Sequence, residues 1–197
     1  MTSALWLSPD VGDWHAAFAS YSDVIAQQGV ARLPALDAWY TDELPRAIAS
    51  RTLPHITHDE LVHLTEWKMA RGVWRAPNLS LVKSNAPAVV EDLTTVAFAK
   101  IPHPTALVAA LAELKGVGPA TASAAVAAFA PQLYPFFDEI VATQVPALGA
   151  VAWTLGYYGR YAGQLRERAI LLGAAWTPMM VERALWSNAG GKAGRAR

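Results

Sequence analysis

Apolar residues along this chain recur at the spacing of a helix and do not alternate as they do in a strand. Leu107, Leu111 and Leu114, for example, fall on one face of a helix that is predicted to begin at Pro104. The chain shows no convincing strand pair and no internal repeat. The pattern therefore predicts an all-α protein, built as a bundle of eight to eleven short helices.

Capping residues and prolines mark the predicted helix ends. Thr57 and Glu60 have the spacing of a capping box, and the helix that they open is expected to stop at Gly72. Residues 1–187 are predicted to form a single domain, and the Gly-, Ala- and Arg-rich stretch 188–197 a flexible tail. The predicted helices cover residues 13–28, 33–50 with a break at Pro45, 58–71, 77–84, 87–100, 104–114, 119–130, 155–172 and 178–186.

The composition limits the kinds of chemistry that this chain can perform. Of the 197 residues, 53% are hydrophobic and 16% charged, which suits a sizeable core and argues against disorder. The net charge is zero, so any binding of nucleic acid must come from a local patch. The chain has no cysteine, which excludes disulfides, thiol catalysis and Cys-ligated clusters. No metal site and no cofactor is predicted.

The ends of the chain and its apolar runs bear on its location. The first residues lack the basic start and apolar run of a signal peptide, and no apolar run is long enough to span a bilayer. We therefore expect an intracellular protein, cytoplasmic or nuclear according to the organism, without a membrane partner. The oligomeric state stays open, with a monomer favoured.

A Gly-Val-Gly turn joins the predicted helices 104–114 and 119–130. Two glycines permit a tight turn, Val117 can point inward, and the free N–H groups before and after Pro119 form a potential anion site. A DNA phosphate would fit there, and the alternative is a tight helical turn that needs glycine for its geometry alone. The predicted DNA-binding residues are Lys115, Gly116, Val117, Gly118, Pro119, Ala120 and Thr121.

The string Leu114-Lys115-Gly116-Val117-Gly118-Pro119-Ala120-Thr121-Ala122, followed by Tyr134-Pro135-Phe136-Phe137-Asp138, resembles the helix-hairpin-helix DNA glycosylase superfamily. The strings at 66–72, 116–123, 136–139 and 181–186 resemble a little-characterised branch of glycosylase-like proteins and cover most of the chain. The resemblance implies two helical lobes with a cleft between them, the hairpin motif at about 105–130, and DNA as partner in base-excision repair.

The resemblance also implies roles for single residues. Asp138 is the candidate catalytic carboxylate, and Glu139 is its substitute. Bifunctional members of the family carry a nucleophilic lysine where this chain has Ala120, so no lyase step is expected from that position. The enzyme implied is a monofunctional glycosylase that uses water as nucleophile.

Cleaving a base from deoxyribose builds positive charge on the sugar, which a carboxylate such as Asp138 can stabilise while it orients water. The alternative role for Asp138 is that of an N-cap. Lys68 is expected to reach the cleft and pair with Asp138, Glu139 or a phosphate, unless its stem only snorkels to water. Aromatic residues can hold an extruded base, although each also suits the core, and the aromatic candidates are Trp67, Trp74, Trp153, Tyr157 and Tyr158. The pocket candidates are Trp67, Lys68, Arg71, Trp74, Tyr157 and Tyr158.

Three functions remain open from the sequence. One is the monofunctional glycosylase. The second is a DNA-binding module on the same scaffold without catalysis, which Ala120 and the neutral charge favour. The third is a protein-interaction domain in which the hairpin serves packing alone.

Overall fold

The computed structural model of the chain describes residues 3–195, and over that range it is all-α, with no strand. The predicted fold class is confirmed to that extent. None of the helices in the described range has the length and apolar character needed to cross a membrane. The helices are α1 (Ala4–Leu7), α2 (Val11–Ala19), α3 (Tyr21–Ala26), α4 (Leu33–Ala38), α5 (Leu44–Ala49), α6 (His58–Arg71), α7 (Ala76–Lys83), α8 (Pro87–Phe98), α9 (Ala106–Leu111), α10 (Pro119–Phe129), α11 (Glu139–Ala142), α12 (Leu155–Leu172), α13 (Pro178–Asn188) and α14 (Gly191–Arg195).

The helix-capping signals in the sequence are formed as predicted. The Thr57 hydroxyl accepts the backbone N–H of Glu60 at 3.3 Å, and the Glu60 carboxylate accepts that of Thr57 at 2.9 Å. The capping box therefore satisfies two N–H groups at the start of α6, and the helix ends at Gly72 as expected. The predicted bounds of α12 are also confirmed.

Two predicted helical segments differ in detail from the structure. The predicted helix 13–28 is two helices that meet at Ser20, whose hydroxyl donates to the carbonyl of Ala17 at 2.9 Å and so competes with the helical ladder. Between α4 and α5 lies a π-helical turn, Trp39–Glu43, instead of a simple break. Pro45, the second residue of α5, supplies no N–H to the ladder, and the π-helical turn lies directly before the start of that helix.

Two helices organise the packing. Helix α13 contacts α1, α2, α3, α11, α12 and α14, and its residues Val181, Ala184, Leu185 and Trp186 are completely buried. Helix α6 contacts α4, α7, α8 and α10. Helix α10 is buried from Ala120 to Ala128, and because most of these side chains are alanines, its neighbours approach closely.

Helix α14 lies within the stretch 188–197 that was predicted as a tail. Gly191 is buried at the start of α14, and a Cβ at this position would lie 2.6 Å from the ring of Trp186. The Gln28 side chain donates to the carbonyl of Gly190 at 3.2 Å and accepts the N–H of Ala193 at 3.0 Å. The last turns are thereby attached to α3. Residues 1–2 of the predicted domain and 196–197 of the predicted tail lie outside the described residues.

Candidate functional site

The hairpin between α9 and α10 is closed by one glycine that the fold requires. Gly116 has φ of +76°, a conformation that favours glycine. A Cβ at this position would lie 2.6 Å from the carbonyl oxygen of Asn78 and 2.9 Å from the Cβ of Leu81, both in α7. Val117 points into the core, 5% exposed. The hairpin is thus fixed by its own turn and by close contact with α7.

Asn85 holds the same turn from the other side. Its Oδ1 accepts the N–H of Lys115 at 3.0 Å, and its Nδ2 donates to the carbonyl of Lys115 at 3.0 Å and to that of Val82 at 2.9 Å. Sequence reasoning missed this residue, because nothing in the pattern links position 85 to a turn thirty residues later. The amide side chain satisfies backbone groups that the tight turn leaves unpaired.

The second glycine of the hairpin has the opposite surroundings. Gly118 is exposed and extended, with φ of −95° and ψ of 179°, which any residue adopts. A Cβ there would meet nothing within 4 Å. Neither backbone conformation nor packing therefore demands a glycine at 118. No side chain caps α10, and the N–H groups of Ala120 and Thr121 have no partner within the helix.

The hairpin residues from Gly118 to Thr121 line one wall of a cavity of about 390 Å³, which we call the hairpin cavity. Its other walls come from the end of α6 and the segment after it, from α7, from the start of α11 and the segment before it, from the segment before α12, and from α14. It is lined by Lys68, Gly72, Val73, Arg75, Asn78, Gly118, Pro119, Ala120, Thr121, Phe136, Phe137, Asp138, Glu139, Ile140, Trp153 and Lys192.

Hydrogen bonds to the segment just before Asp138 position this residue at the hairpin cavity. The Ser123 hydroxyl in α10 donates to the carbonyl of Ala120 at 2.9 Å and accepts the N–H of Phe137 at 2.9 Å. The Tyr161 hydroxyl in α12 donates to the carbonyl of Phe136 at 2.7 Å. Ser123 and Tyr161 are buried and were not identified from the sequence. Their hydrogen bonds connect the segment before Asp138 to α12 and to the first turn of α10, which we call the hairpin helix.

Asp138 combines the two roles considered for it. Its Oδ1 accepts the N–H of Ile140 at 2.7 Å, so it is the N-cap of α11. Its side chain also lines the hairpin cavity while only 8% exposed, and its second oxygen forms no hydrogen bond with the described residues. One oxygen is therefore held by the fold, and the other is available to a ligand. Glu139 lies at the same wall and is exposed.

The charges around the cavity are mixed, with three cations and two carboxylates. Lys68 lines the cavity but makes no direct ion pair with Asp138 among the described residues. Burial lowers the pKa of Lys68, the Arg75 guanidinium lowers it further, and the Asp138 carboxylate acts in the opposite direction. Lys192 of α14 contributes the third cation.

The other predicted pocket residues do not line this cavity. Trp67 is completely buried, stacks on Tyr40 with ring centroids 3.5 Å apart, and donates its indole N–H to Asp37 at 2.8 Å. Tyr157 and Tyr158 are buried against Phe137, so their expected pocket position is corrected to a position in the core.

Trp74 does not line the cavity either. Trp74 is 44% exposed beside the cavity, and the guanidinium of Arg32 lies 4.4 Å from its ring centroid. Among the aromatic candidates weighed from the sequence, Trp153 is the one whose side chain lines the cavity, 49% exposed.

Arg71 forms an ion pair in the core. Its guanidinium contacts a carboxylate oxygen of Glu182 in α13 at 2.6 Å, and both side chains are completely buried. Burial acts to lower the pKa of Arg71, but Glu182, Tyr21, Asp138 and Asp37 together raise it by more, so the pKa lies above its ordinary value and the group stays charged. Four aromatic rings lie within 5.6 Å of the guanidinium carbon, those of Tyr21, Trp67, Phe136 and Trp186. We call this arrangement the sealed pair.

The described residues contain no cluster of three or more His, Asp or Glu side chains placed to hold a metal ion. In comparisons with known proteins, no family model, no curated protein and no solved structure matches this chain.

Proposed function

We propose that this chain is a DNA-binding protein of the DNA glycosylase type, with the hairpin holding a backbone phosphate and the hairpin cavity receiving an extruded base. One observation carries the proposal. The first turn of the hairpin helix and Asp138, which follows it by about twenty residues, line the same cavity. A site that holds the strand beside a carboxylate is what excision of a base requires.

The open position of Gly118 supports the hairpin's role. A glycine that neither turn nor packing requires leaves room for an external group to approach the backbone closely. The uncapped N-terminus of α10 points partial positive charge at that space. Lys115 is exposed beside it, and its side chain can add a screened contact to phosphate.

The helix contacts support a cleft between two lobes. One group of helices packs around α13, and the other packs around α6 and α10. The cavity takes Lys68, Asn78 and the hairpin from the second group, and Asp138 and Lys192 from the first. We propose that these two groups are the two lobes and that DNA lies across the opening between them.

The proposed reaction is hydrolysis. Positive charge develops on the sugar as the bond from C1′ to the base breaks, and the Asp138 carboxylate stabilises it. Water adds at C1′ and gives up a proton, and the base leaves carrying a proton. Trp153 lines the cavity and is 49% exposed, so its ring offers a face against which a flat base can lie. With Ala120 in place, the position at which bifunctional members of the family carry a nucleophilic lysine has no amine.

A screen of duplexes, each with one modified base, tests the proposal. The wild type should release one class of base and leave an abasic site, whereas Asp138→Asn should bind the same duplex and release nothing. Gly118→Glu places a carboxylate where the phosphate would lie and should weaken DNA binding. The matched control is Gly118→Ala, which should bind as the wild type does.

A non-catalytic DNA-binding module is the second candidate. It is favoured by the capping role of Asp138, which engages one carboxylate oxygen with Ile140, and by Ala120. Salt-dependent DNA affinity without base release from any duplex would support it against the glycosylase. Absence of DNA affinity at low salt would contradict both and leave a protein-interaction domain.

A further inference from the structure

Two cations of the hairpin cavity, Lys68 and Arg75, lie near each other without a counter-ion bound to either. Lys68 is a half-buried residue of α6, and Arg75 is an exposed residue of the segment between α6 and α7. Both line the cavity. The guanidinium of Arg75 lowers the pKa of Lys68, which shows that the two charges repel each other. Neither side chain forms a hydrogen bond or an ion pair with the described residues.

The other arginines show how unusual the surroundings of Arg75 are. Among the arginine side chains that the structure describes, only that of Arg75 has no carboxylate, backbone carbonyl or aromatic ring as a partner. The others contact carboxylates (Arg46, Arg51, Arg71), carbonyl oxygens (Arg166, Arg168) or rings (Arg32, Arg160, Arg183). A guanidinium without a protein partner, placed beside a second cation at a cavity, is free to bind an anion from outside the protein.

The backbones that carry the two cations are fixed relative to the hairpin. The carbonyl of Arg75 accepts the N–H of Asn78 at 3.1 Å, in the first turn of α7. Helix α7 in turn contacts the hairpin closely at Gly116. Lys68 follows the completely buried Trp67 in α6. The fold therefore holds two like charges on neighbouring parts of one cavity wall, an arrangement that an anion between them would stabilise.

We propose that Lys68 and Arg75 together form a subsite for a phosphate group, separate from the phosphate site at the hairpin. The inference rests on the proposed function for the source of this group, a second backbone phosphate of the bound DNA strand. The guanidinium can donate to two phosphate oxygens at once, and the ammonium adds a point charge. The Asp138 carboxylate at the start of α11 repels an anion, so the phosphate lies on the side of α6 and α7. Contacts to two phosphates fix the position and direction of a strand.

The salt dependence of DNA binding tests the subsite. The probe is a duplex with one tetrahydrofuran analogue of an abasic site, which requires no base release. The logarithm of the binding constant falls with the logarithm of salt concentration, with a slope of about −0.9 for each phosphate neutralised. The double variant Lys68→Gln, Arg75→Gln should reduce the steepness by about 0.9, because both side chains bind the same phosphate. An unchanged slope would overturn the subsite, and a reduction of about 1.8 would show two separate contacts and overturn the shared site.

A matched control removes the same charge elsewhere. Lys83 and Arg46 do not line the cavity, and their side chains are 54% and 74% exposed. The double variant Lys83→Gln, Arg46→Gln should keep the salt slope of the wild type. An equal change of slope in this control would show that net charge alone sets the slope, and it would overturn the subsite.

Replacing single phosphates of the DNA locates the contact. Methylphosphonate linkages, which carry no charge, are placed one at a time on either side of the tetrahydrofuran analogue. At one linkage the replacement should weaken binding to the wild type but cause no further loss in the Lys68→Gln, Arg75→Gln variant, because the contact is already absent there. Equal losses in the two proteins at every linkage would overturn the subsite.

Inorganic phosphate alone separates this inference from the proposed function. DNA binding with an unaltered slope and no linkage-specific difference would overturn the subsite and leave the proposed function standing. If DNA does not bind, the proposed function fails, and the melting temperature in phosphate at constant ionic strength decides the inference. An anion that binds the folded chain raises this temperature, so a larger rise in the wild type than in the Lys68→Gln, Arg75→Gln variant would support a site for a free phosphate group. Equal rises would overturn the subsite as well.

Discussion

Helix α6 carries two cations three residues apart that meet opposite surroundings. Arg71 points into the core, where Glu182 and aromatic rings close around it, and neither side chain of the pair is exposed. Lys68 points into the hairpin cavity, where the nearby carboxylate of Asp138 forms no ion pair with it. Both residues are cations near carboxylates. Protein groups surround Arg71 completely, whereas Lys68 faces protein on one side and the cavity on the other.

This difference separates charge that the fold needs from charge that a ligand can use. A buried ion compensated within the protein joins α6 to α13, and its loss leaves the partner uncompensated. Charges that line an open cavity contribute little to folding, since solvent already surrounds one side of them. Their arrangement around a space of about 390 Å³ is therefore better explained by binding than by stability.

The largest expected effect on the free energy of unfolding comes from a variant that breaks the sealed pair. Glu182→Gln removes the carboxylate charge and leaves the Arg71 guanidinium buried without a counter-ion. The free energy of unfolding should fall by about 3–5 kcal/mol, measured by urea denaturation. Because apolar residues can replace a buried pair at little cost, the double variant Arg71→Met, Glu182→Met should recover most of the loss. A single variant that loses less than about 1 kcal/mol would contradict the role assigned to the pair.

The sealed pair also shows where sequence reasoning stops. Capping residues and helical spacing predicted α6, α10, α12 and α13, because these signals are local. The partner of Arg71 lies 111 residues away, and only the folded chain shows that it faces Glu182 and not the cavity. The same holds for Asn85 and Ser123, whose bonds join segments that no periodicity relates.

The strongest sequence signal at the candidate site was a motif. The hairpin was assigned from its residues and Asp138 from the family resemblance, and Asp138 and the residues from Gly118 to Thr121 line one cavity. The aromatic residues were assigned by type alone, and since the interior and a pocket both favour rings, Trp67, Tyr157 and Tyr158 proved to be core residues. Lys68 was identified because a lysine on an apolar helix face needs either water or a partner.

The second prediction compares the two glycines of the hairpin, one packed and one open. Gly116→Ala forces a side chain into φ of +76° and against the backbone of α7, so the free energy of unfolding should fall by about 1–3 kcal/mol. Gly118→Ala adds its methyl group to empty space and should change the free energy by less than about 0.5 kcal/mol. Urea denaturation of both variants measures the contrast. Equal losses would show that the second glycine also serves packing.

The smallest expected effect on the free energy of unfolding is at Asp138, whose side chain both caps α11 and carries the proposed chemistry. Asparagine caps a helix as well as aspartate does, so Asp138→Asn should keep the bond to the N–H of Ile140 and change the free energy of unfolding by less than about 0.5 kcal/mol. Asp138→Ala loses that cap and should cost about 1 kcal/mol. Both should abolish base release, because neither retains the negative charge that the second oxygen presents to the cavity. If activity in the two variants instead fell in proportion to stability, as thermal unfolding and base release would show together, the carboxylate would be a cap and no more.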